Sequence, residues 1–322
     1  VSGRWDGLRL RGNAWWPKQS LKVFQPLLPP EAKTTLRDGT LYAQVAFSAA
    51  ADQGFEAGGH GVLKNGSLWM PDNQINGVDF ILPFRFSQST WHLGHRRPVS
   101  LRIGEVVNQV TARNITADLE GSYPWSEQDP LLLSNVSVDV LGGKVSMLQL
   151  RMPQRDAALL RVQNISTSEL IGAINPKQFT MSGRVNGALP LWLNNEKWII
   201  KDGWLTNPGP LTLRLDKDTA DAVVRDNMAA GSAINWLRYL EITRSWTSVS
   251  LDNLGMLQLK SSISGTSRTD GKSARVNLNY THQENVFELW RSLRFGDNLQ
   301  AWLEQNAHLP APCRSGKACK EQ

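Results

Sequence analysis

Two histidines have the spacing that comes nearest to a metal site. His92 and His95 stand in the segment His-Leu-Gly-His, and two imidazoles three residues apart can bind one ion. Zinc and similar ions need further ligands, and no acidic triplet lies nearby in the sequence. Asp52, Glu56 and His60 also carry ligand atoms, but they stand among glycines in a predicted loop. We therefore predict no metal site, and we expect His92 and His95 to be exposed loop residues.

One glycine-rich segment, residues 265–273, resembles a phosphate-binding loop. A P-loop has four residues between its glycines, whereas five separate Gly265 from Gly271, and a strand rather than a helix is predicted to follow. The signatures of serine hydrolases, zinc proteases and dinucleotide-binding domains are absent from the sequence. Paired carboxylates of the kind that glycan hydrolysis needs are not evident either. The sequence therefore predicts a protein that is not an enzyme and uses no cofactor.

Both cysteines, Cys313 and Cys319, lie in a polar C-terminal tail. In an oxidising compartment this pair could close a small disulfide loop. The absence of cysteine from the rest of the sequence is typical of an exported protein. Two unpaired thiols are the alternative. Zinc would need further ligands, and His308 is the candidate nearby.

The charge of the chain excludes one class of partner. The net charge is +6 over 322 residues, but the basic residues are scattered singly through the sequence. Such scatter is typical of a solvated face, or of weak attraction to anionic lipid headgroups. No nucleic-acid-binding constellation is present, so we predict no nucleic-acid partner. The sequence contains no apolar run of about 18 residues, and its opening at Val1 in mid-pattern predicts a piece of a longer protein.

A short pattern recurs three times and predicts β-structure. Residues 36–41, 63–68 and 200–205 each read apolar, basic, Asp or Asn, Gly, any residue, Leu. Asp-Gly and Asn-Gly favour two-residue hairpin turns because both residues tolerate positive φ. Between these sites lie short segments in which apolar and polar residues alternate, as in Leu-Thr-Leu-Arg-Leu at 211–215. The sequence therefore predicts a long antiparallel meander over residues 1–280, with a proline-rich passage at 25–30 as an extended crossing or an edge.

Helices are predicted at few places. The capping box Ser166-Thr-Ser-Glu169 opens a short helix over 166–174, and an apolar stripe indicates a longer helix over 218–242. A second capping box, Thr281-His-Gln-Glu284, starts a helical cap over 281–306, which is followed by a polar tail over 307–322. These helices are too few to cover the apolar face of a long sheet. A second packed sheet, a closed barrel, or an open curved groove that holds lipid acyl chains would each solve this problem.

Three segments carry a resemblance to a known family. They are Gly183-Arg-Val-Asn-Gly-Ala-Leu-Pro-Leu191, the passage from Trp198 to Pro210, and Leu289-Trp-Arg-Ser-Leu-Arg-Phe-Gly-Asp-Asn-Leu-Gln-Ala-Trp-Leu303. Together they resemble the C-terminal part of the AsmA-like, TamB-like bridge-type lipid-transfer proteins of Gram-negative envelopes. The resemblance implies a mainly β fold: an elongated, curved antiparallel sheet that forms an apolar, repeating β-groove, with a few amphipathic helices covering parts of it and its C-terminal end.

The resemblance also implies a function and a place. Family members are thought to carry phospholipids across the periplasm, anchored in the inner membrane by a segment absent from this sequence. The C-terminal end would meet a small, YnbE-like outer-membrane lipoprotein whose strand extends the sheet. The alternative is a periplasmic scaffold with a closed β core that only recruits a partner.

Carried onto this sequence, the resemblance implies two sets of site residues. The groove floor would be Leu41, Val45, Phe47, Leu148, Leu150, Leu211, Leu213, Leu215, Leu257 and Leu259. The edge that accepts a partner strand would be the last predicted strand, with Ala274, Val276, Leu278 and Tyr280. C-terminal helices that cover this edge are the competing interpretation.

Overall fold

The computed structural model describes residues 1–94, 96–174, 179–215, 238–269 and 271–287, with the side chains of residues 174, 179 and 269 left out. The chain divides into two units, Val1–Asn285 and Val286–Gln322. Of the second unit, residues 286 and 287 are described, and both are helical. The predicted polar tail with Cys313 and Cys319, and most of the predicted helices over 218–242 and 281–306, lie outside the described residues.

The described part of the first unit is one antiparallel sheet of eighteen strands. The strands are β1 (Ser2–Asp6), β2 (Arg9–Ser20), β3 (Thr35–Ala50), β4 (Gly54–Met70), β5 (Asn73–Ser87), β6 (Thr90–Leu93), β7 (Val99–Val107), β8 (Ala112–Tyr123), β9 (Leu131–Val140), β10 (Gly143–Met152), β11 (Ala158–Ser166), β12 (Phe179–Ser182), β13 (Arg184–Leu191), β14 (Trp198–Thr206), β15 (Leu211–Leu215), β16 (Tyr239–Asp252), β17 (Met256–Thr269) and β18 (Lys272–Asn285). The prediction of a mainly β chain built as an antiparallel sheet is confirmed.

The sheet is a meander in which successive strands are neighbours. From β1 to β5 each strand pairs with the one before it, and the same holds from β8 to β11 and from β16 to β18. Three positions in the sheet are each filled by two short strands placed end to end. They are β6 with β7, β12 with β13, and β14 with β15.

The recurring Asp-Gly and Asn-Gly sites are not hairpin turns, so this part of the sequence prediction is wrong. β3, β4 and β14 run straight through the three sites, and the pairing register shifts there. Asn65 has a φ of 50°, Asp202 of 58° and Gly39 of 116°, which are the left-handed values a bulge can require. A residue pair that tolerates positive φ suits a turn and a bulge equally well. Strand pairing across the sheet decides between them.

Two asparagines of the N-x-S/T type occupy similar bulges. Asn114 and Asn164 both have φ near 50°, and the register shifts beside each. The backbone N–H of Asn164 donates to the side-chain oxygen of Asn186 at 2.7 Å. The Asn114 side chain donates to Asp139 at 2.8 Å. Polar side chains thus accept hydrogen bonds from backbone N–H and side-chain amide groups at places where a bulge interrupts the pairing of the strands.

The described residues correct three further predictions. The proline-rich passage is not extended, because 3₁₀ turns span Leu21–Leu27 and Pro30–Ala32. The long helix predicted over 218–242 cannot reach residue 242, since β16 starts at Tyr239. The helix predicted from Thr281 is replaced by strand up to Asn285, where β18 completes its pairing with β17. A segment whose sequence favours a helix thus forms a strand where a neighbouring strand is available for pairing.

The short helix predicted after β11 is confirmed as α1, Thr167–Ile174. The Ser166 hydroxyl accepts a hydrogen bond from the Glu169 N–H at 3.3 Å, as the capping box requires. The Thr167 hydroxyl donates to the Gly183 carbonyl at 3.0 Å. These bonds tie the start of the helix to the sheet between β11 and β13.

A buried carboxylate joins three central strands. Asp118 of β8 accepts hydrogen bonds from Arg102 of β7 at 2.9 Å and from Asn135 of β9 at 2.8 Å. Its side chain is 8% exposed. Burial opposes ionisation of Asp118, but the bonds from Arg102 and Asn135 and the Arg102 charge together hold the pKa of this carboxyl below its ordinary value.

Replacing Asp118 should therefore weaken the fold in a pH-dependent way. In D118N the uncharged amide loses the ion pair with Arg102, and its NH₂ can face the Asn135 NH₂ as a second donor. We expect the free energy of unfolding to fall by about 1–3 kcal/mol at pH 7. Because the folded pKa is lowered, the stabilisation is complete above the ordinary pKa near 3.8 and is lost as the pH falls through the folded value. Urea titrations at pH 7 and pH 2.5 measure both.

The control for this measurement is D72N, at an exposed turn position. It should leave stability unchanged at both pH values. An equal loss for D118N at the two pH values would contradict the role of the charge.

The Asn207 side chain supplies hydrogen bonds at the break between β14 and β15. Its side-chain oxygen accepts hydrogen bonds from the N–H and the hydroxyl of Ser245, at 2.6 and 2.8 Å. Its NH₂ donates to the carbonyls of Gly209 and Thr243, at 2.7 and 3.2 Å. Ser245 is buried, so without Asn207 its N–H would be left unsatisfied away from water.

N207A should therefore lower the free energy of unfolding by about 1–3 kcal/mol, since a buried donor loses its acceptor. Thermal and urea denaturation measure the change. N277A is the matched control, because Asn277 is exposed on β18 and makes no side-chain hydrogen bond among the described residues. Equal stability of the two variants would show that Asn207 does not hold this gap together.

Candidate functional site

Cross-strand pairing places the apolar side chains of successive strands on one face of the sheet. Residues directly opposite each other in an antiparallel pair project to the same side. Phe47 of β3 pairs with Ala57 of β4, which pairs with Phe86 of β5, and Phe86 pairs with Trp91 of β6. Trp91 in turn pairs with Tyr123 of β8. The side that holds these residues is called the apolar face below.

The same face continues through the middle strands. Leu119 of β8 pairs with Leu133 of β9, and Leu133 pairs with Leu150 of β10. Met147, Leu150 and Ala158 form a buried cluster, against which Leu133, Val136, Leu160 and Leu191 pack. From Leu160 the pairing leads to Leu189 of β13.

The C-terminal strands complete the face. Leu191 of β13 leads through Ile200 and Leu251 to Leu257 of β17. A second buried cluster, Leu211, Leu240 and Ile242, lies on the same side, with Leu213, Ile263 and Val276 packed against it. Ile263 of β17 pairs with Leu278, so the apolar face extends onto β18.

All of the predicted floor residues except Leu148 therefore lie on this face, and so do the four residues predicted for the C-terminal edge. Leu150 and Leu211 are buried. The half-buried members are Leu41, Val45, Phe47, Leu213, Leu215, Leu257, Leu259, Ala274, Val276 and Leu278. Tyr280 is 52% exposed. The sheet thus has one continuous apolar side, and much of it is not fully covered.

Leu148 departs from the predicted pattern. Its side chain is 82% exposed, whereas Leu150 is 5% exposed and belongs to a buried cluster. In β10 the residues on the apolar face are Met147 and Leu150, which are three apart rather than two. Leu133 and Val136 of the paired strand β9 show the same spacing. Strict alternation fails at this point in both strands, so a period-two reading of the sequence misplaced Leu148.

Sequence reasoning missed a row of aromatic rings on the apolar face. Phe55 stacks on Phe47 with ring centroids 6.5 Å apart, and it contacts Phe86 at 6.1 Å. Phe86 contacts Trp91 at 4.9 Å. Phe55 and Trp91 are both exposed. The alternation of Phe80, Leu82, Phe84 and Phe86 could have revealed part of this row.

No second layer covers the apolar face in the part of the chain that the structure describes. Described elements make their main contacts with sheet neighbours, while α1 contacts β11 and β12 and the first 3₁₀ turn contacts β3. The opposite face, called the polar face below, carries many charged and amide side chains, as Arg85, Lys260 and Asn277 illustrate. Some apolar side chains, among them Val62 and Ile81, lie on it as well. The sandwich alternative gains no support from these residues.

The last described strand pairs on one side only with other described strands. β18 pairs with β17 from Thr269↔Lys272 to Met256↔Asn285, and among the described residues no strand pairs with its other side. Such an edge presents unpaired backbone N–H and C=O groups. Whether the predicted C-terminal helices lie there is outside the described residues.

The structure also places the histidines and the glycine-rich segment that the sequence analysis considered. His92 lies in β6, half-buried, with its Nδ1 3.2 Å from the Ser122 hydroxyl, so the prediction of an exposed loop position is wrong for it. His95 lies outside the described residues. Residues 265–269 lie in β17 and residues 272–273 in β18, and the two strands pair with each other. Within the described ranges no cluster of three metal-ligand side chains occurs, and no helix there is long and apolar enough to cross a bilayer.

Comparison with known proteins connects this sheet to a family. Residues 1–308 match the YdbH-like family, described as intermembrane phospholipid transport protein YdbH. The chain is 74% identical over 323 residues to a probable phospholipid transport protein, YdbH, of Escherichia coli (strain K12). That match covers 100% of this chain and 37% of the relative, whose C-terminal part it represents. No solved structure matches. The family is one of lipid transport proteins rather than enzymes, and with a match over nearly its whole length this chain belongs to the YdbH-like family.

Proposed function

We propose that this chain carries phospholipids between the two membranes of a Gram-negative envelope, with their acyl chains held on the apolar face. The single observation that carries the proposal is the continuity of that face from β2 to β18 while most of its side chains stay half-exposed. A large apolar surface left open on a folded protein marks a binding site. The names of the family and of the relative agree with a phospholipid ligand.

The energetics favour acyl chains as the occupant. Each methylene group transferred from water to an apolar surface gains about 0.8 kcal/mol, so one fatty-acid chain gains enough to bind without polar recognition. Because the apolar face continues across successive strands, a bound chain would find apolar side chains at each step. Binding of this kind suits movement along the sheet better than capture at one place.

The aromatic row suits the margin of such a surface. Aromatic rings prefer the boundary between hydrocarbon and water, and Phe55 and Trp91 combine exposure with contact to other rings. On this proposal they lie where acyl chains give way to headgroups.

The free side of β18 is proposed as the docking edge for a small, YnbE-like outer-membrane lipoprotein. A strand added there would gain main-chain hydrogen bonds along fourteen residues, and the apolar face would continue onto the partner. The chain would then work in the periplasm, with an inner-membrane anchor in the remainder of the longer protein.

A photo-crosslinking side chain at Leu259 tests the lipid path. Leu259 lies half-buried on the apolar face, whereas its neighbour Lys260 projects, exposed, from the polar face. In the full-length protein in cells we expect phospholipid adducts from position 259 and none above background from position 260, as read by mass spectrometry of the purified protein.

Equal adduct yields at positions 259 and 260 would contradict a path restricted to the apolar face. Absence of adducts at both would favour the scaffold alternative, in which the face is covered and the protein only recruits a partner.

Amide hydrogen exchange tests the docking edge. When the soluble segment of the lipoprotein is added to this chain, we expect slower exchange in Lys272–Asn285, because newly formed backbone bonds protect the N–H groups. β5, which is paired on both sides, is the internal control and should not change. Protection elsewhere with β18 unchanged would place the partner on another surface.

A further inference from the structure

Five arginines surround a cleft on the polar side of strands β1 to β5. The cleft has a volume of about 1080 Å³, and its lining includes Arg4, Arg11, Arg85, Arg96 and Arg97. Glu56 contributes the one carboxylate among the lining residues. The site is therefore strongly positive, in a chain whose basic residues looked evenly scattered in sequence.

The register explains how distant arginines come together. Arg4 of β1 pairs directly with Arg11 of β2, so both project to the same side. Along the adjacent row Asn13 pairs with Ala46, Ala46 with Gly58, and Gly58 with Arg85 of β5. Strands lie about 4.8 Å apart, so the backbones of β2 and β5 are separated by about 14 Å.

Small residues between the arginines form the floor. Ala46 and Gly58 occupy the middle of the row, where larger side chains would fill the space between Arg11 and Arg85. The segment between β6 and β7 brings Arg96 and Arg97 to the β5 side. Phe47 and Phe84 also contribute to the lining, so the cleft borders the apolar face.

The arginines of the cleft form no salt bridge with any described carboxylate. Among the described residues none of the five lies within salt-bridge distance of a carboxylate, and all five are exposed. By contrast, Arg102 pairs with Asp118 and Arg113 with Glu105 on the following strands. A concentration of unpaired guanidinium groups around one cleft is stabilised when an anion enters it.

We propose that this cleft binds a phosphate group. Guanidinium forks match phosphate oxygens and bind them with paired, charge-assisted hydrogen bonds, and several arginines can share one phosphate. Asn13, Ser48 and His60, which also line the cleft, offer further hydrogen-bonding groups. The phosphate belongs either to a lipid headgroup or to a free phosphate compound, and both present the same chemistry to the arginines.

The site does not depend on the acyl-chain proposal, because Arg4, Arg11 and Arg85 lie on the other face of the sheet. Loss of phosphate binding would leave the apolar face unchanged. Loss of acyl-chain adducts at position 259 would likewise leave the arginine cleft unchanged.

The test uses the whole chain and the double variant R11Q/R85Q. The matched control is R161Q/R244Q, which removes two exposed arginines from the polar face outside the cleft and gives the same net charge. Binding is measured by sedimentation with phosphatidylcholine vesicles that contain or lack phosphatidylglycerol, and by calorimetry with inorganic phosphate and pyrophosphate. Thermal denaturation checks that both variants are folded, and R11K/R85K tests whether charge alone suffices.

If the phosphate comes from a lipid, the wild type should bind phosphatidylglycerol vesicles, and R11Q/R85Q should bind them about tenfold more weakly while the control keeps its affinity. If it comes from a free compound, the same difference should appear with phosphate or pyrophosphate and not with vesicles. In both cases R11K/R85K should recover part of the affinity, and added salt should weaken binding. Equal binding by the double variant and its control in every assay, or no binding by the wild type, would overturn the proposal.

Discussion

The structure depends on one constraint: the apolar side chains of every strand must stay on the same side of the sheet through a long series of antiparallel pairs. A register slip of one residue would move every apolar side chain of a strand to the polar side. The chain keeps the face from Phe47 in β3 to Leu278 in β18, although several strands contain bulges. A bulge therefore has to be accommodated by the neighbouring strand, as in β9 and β10, where Val136 and Met147 return to the face together.

Bulges do more than interrupt the ladder. Each one bends its strand and increases the local twist, so repeated bulges give a sheet curvature that regular pairing would not. Asn65, Asn114 and Asn164 hold left-handed backbone conformations at these points, and each donates one hydrogen bond to a neighbouring Asp or Asn side chain. The polar face therefore supports the shape of the apolar face.

The two sides of the sheet separate two kinds of chemistry. The apolar side offers contact without polar recognition, which suits acyl chains of any headgroup class. The polar side offers the arginine cleft, where Arg11 and Arg85 come from strands far apart in sequence. A phospholipid has both kinds of group, and in this arrangement hydrocarbon and phosphate would contact different residues. The edge at β18 adds a third kind of surface, made of backbone groups.

The sequence by itself determined the mainly β class and the short helix after β11, and of the residues that it proposed for a groove floor only Leu148 lies off the apolar face. Period-two alternation, as in Leu211, Leu213 and Leu215, and the capping box at Ser166 are local signals that the tertiary structure preserved. The recurring Asp-Gly and Asn-Gly sites were misread as turns because a bulge asks for the same backbone freedom as a turn, and only the neighbouring strand distinguishes them. Leu148 was misplaced for a related reason, since its strand leaves the period of two. Tertiary structure alone decided the aromatic row and the arginine cleft, because both join residues that become neighbours only when the strands pair.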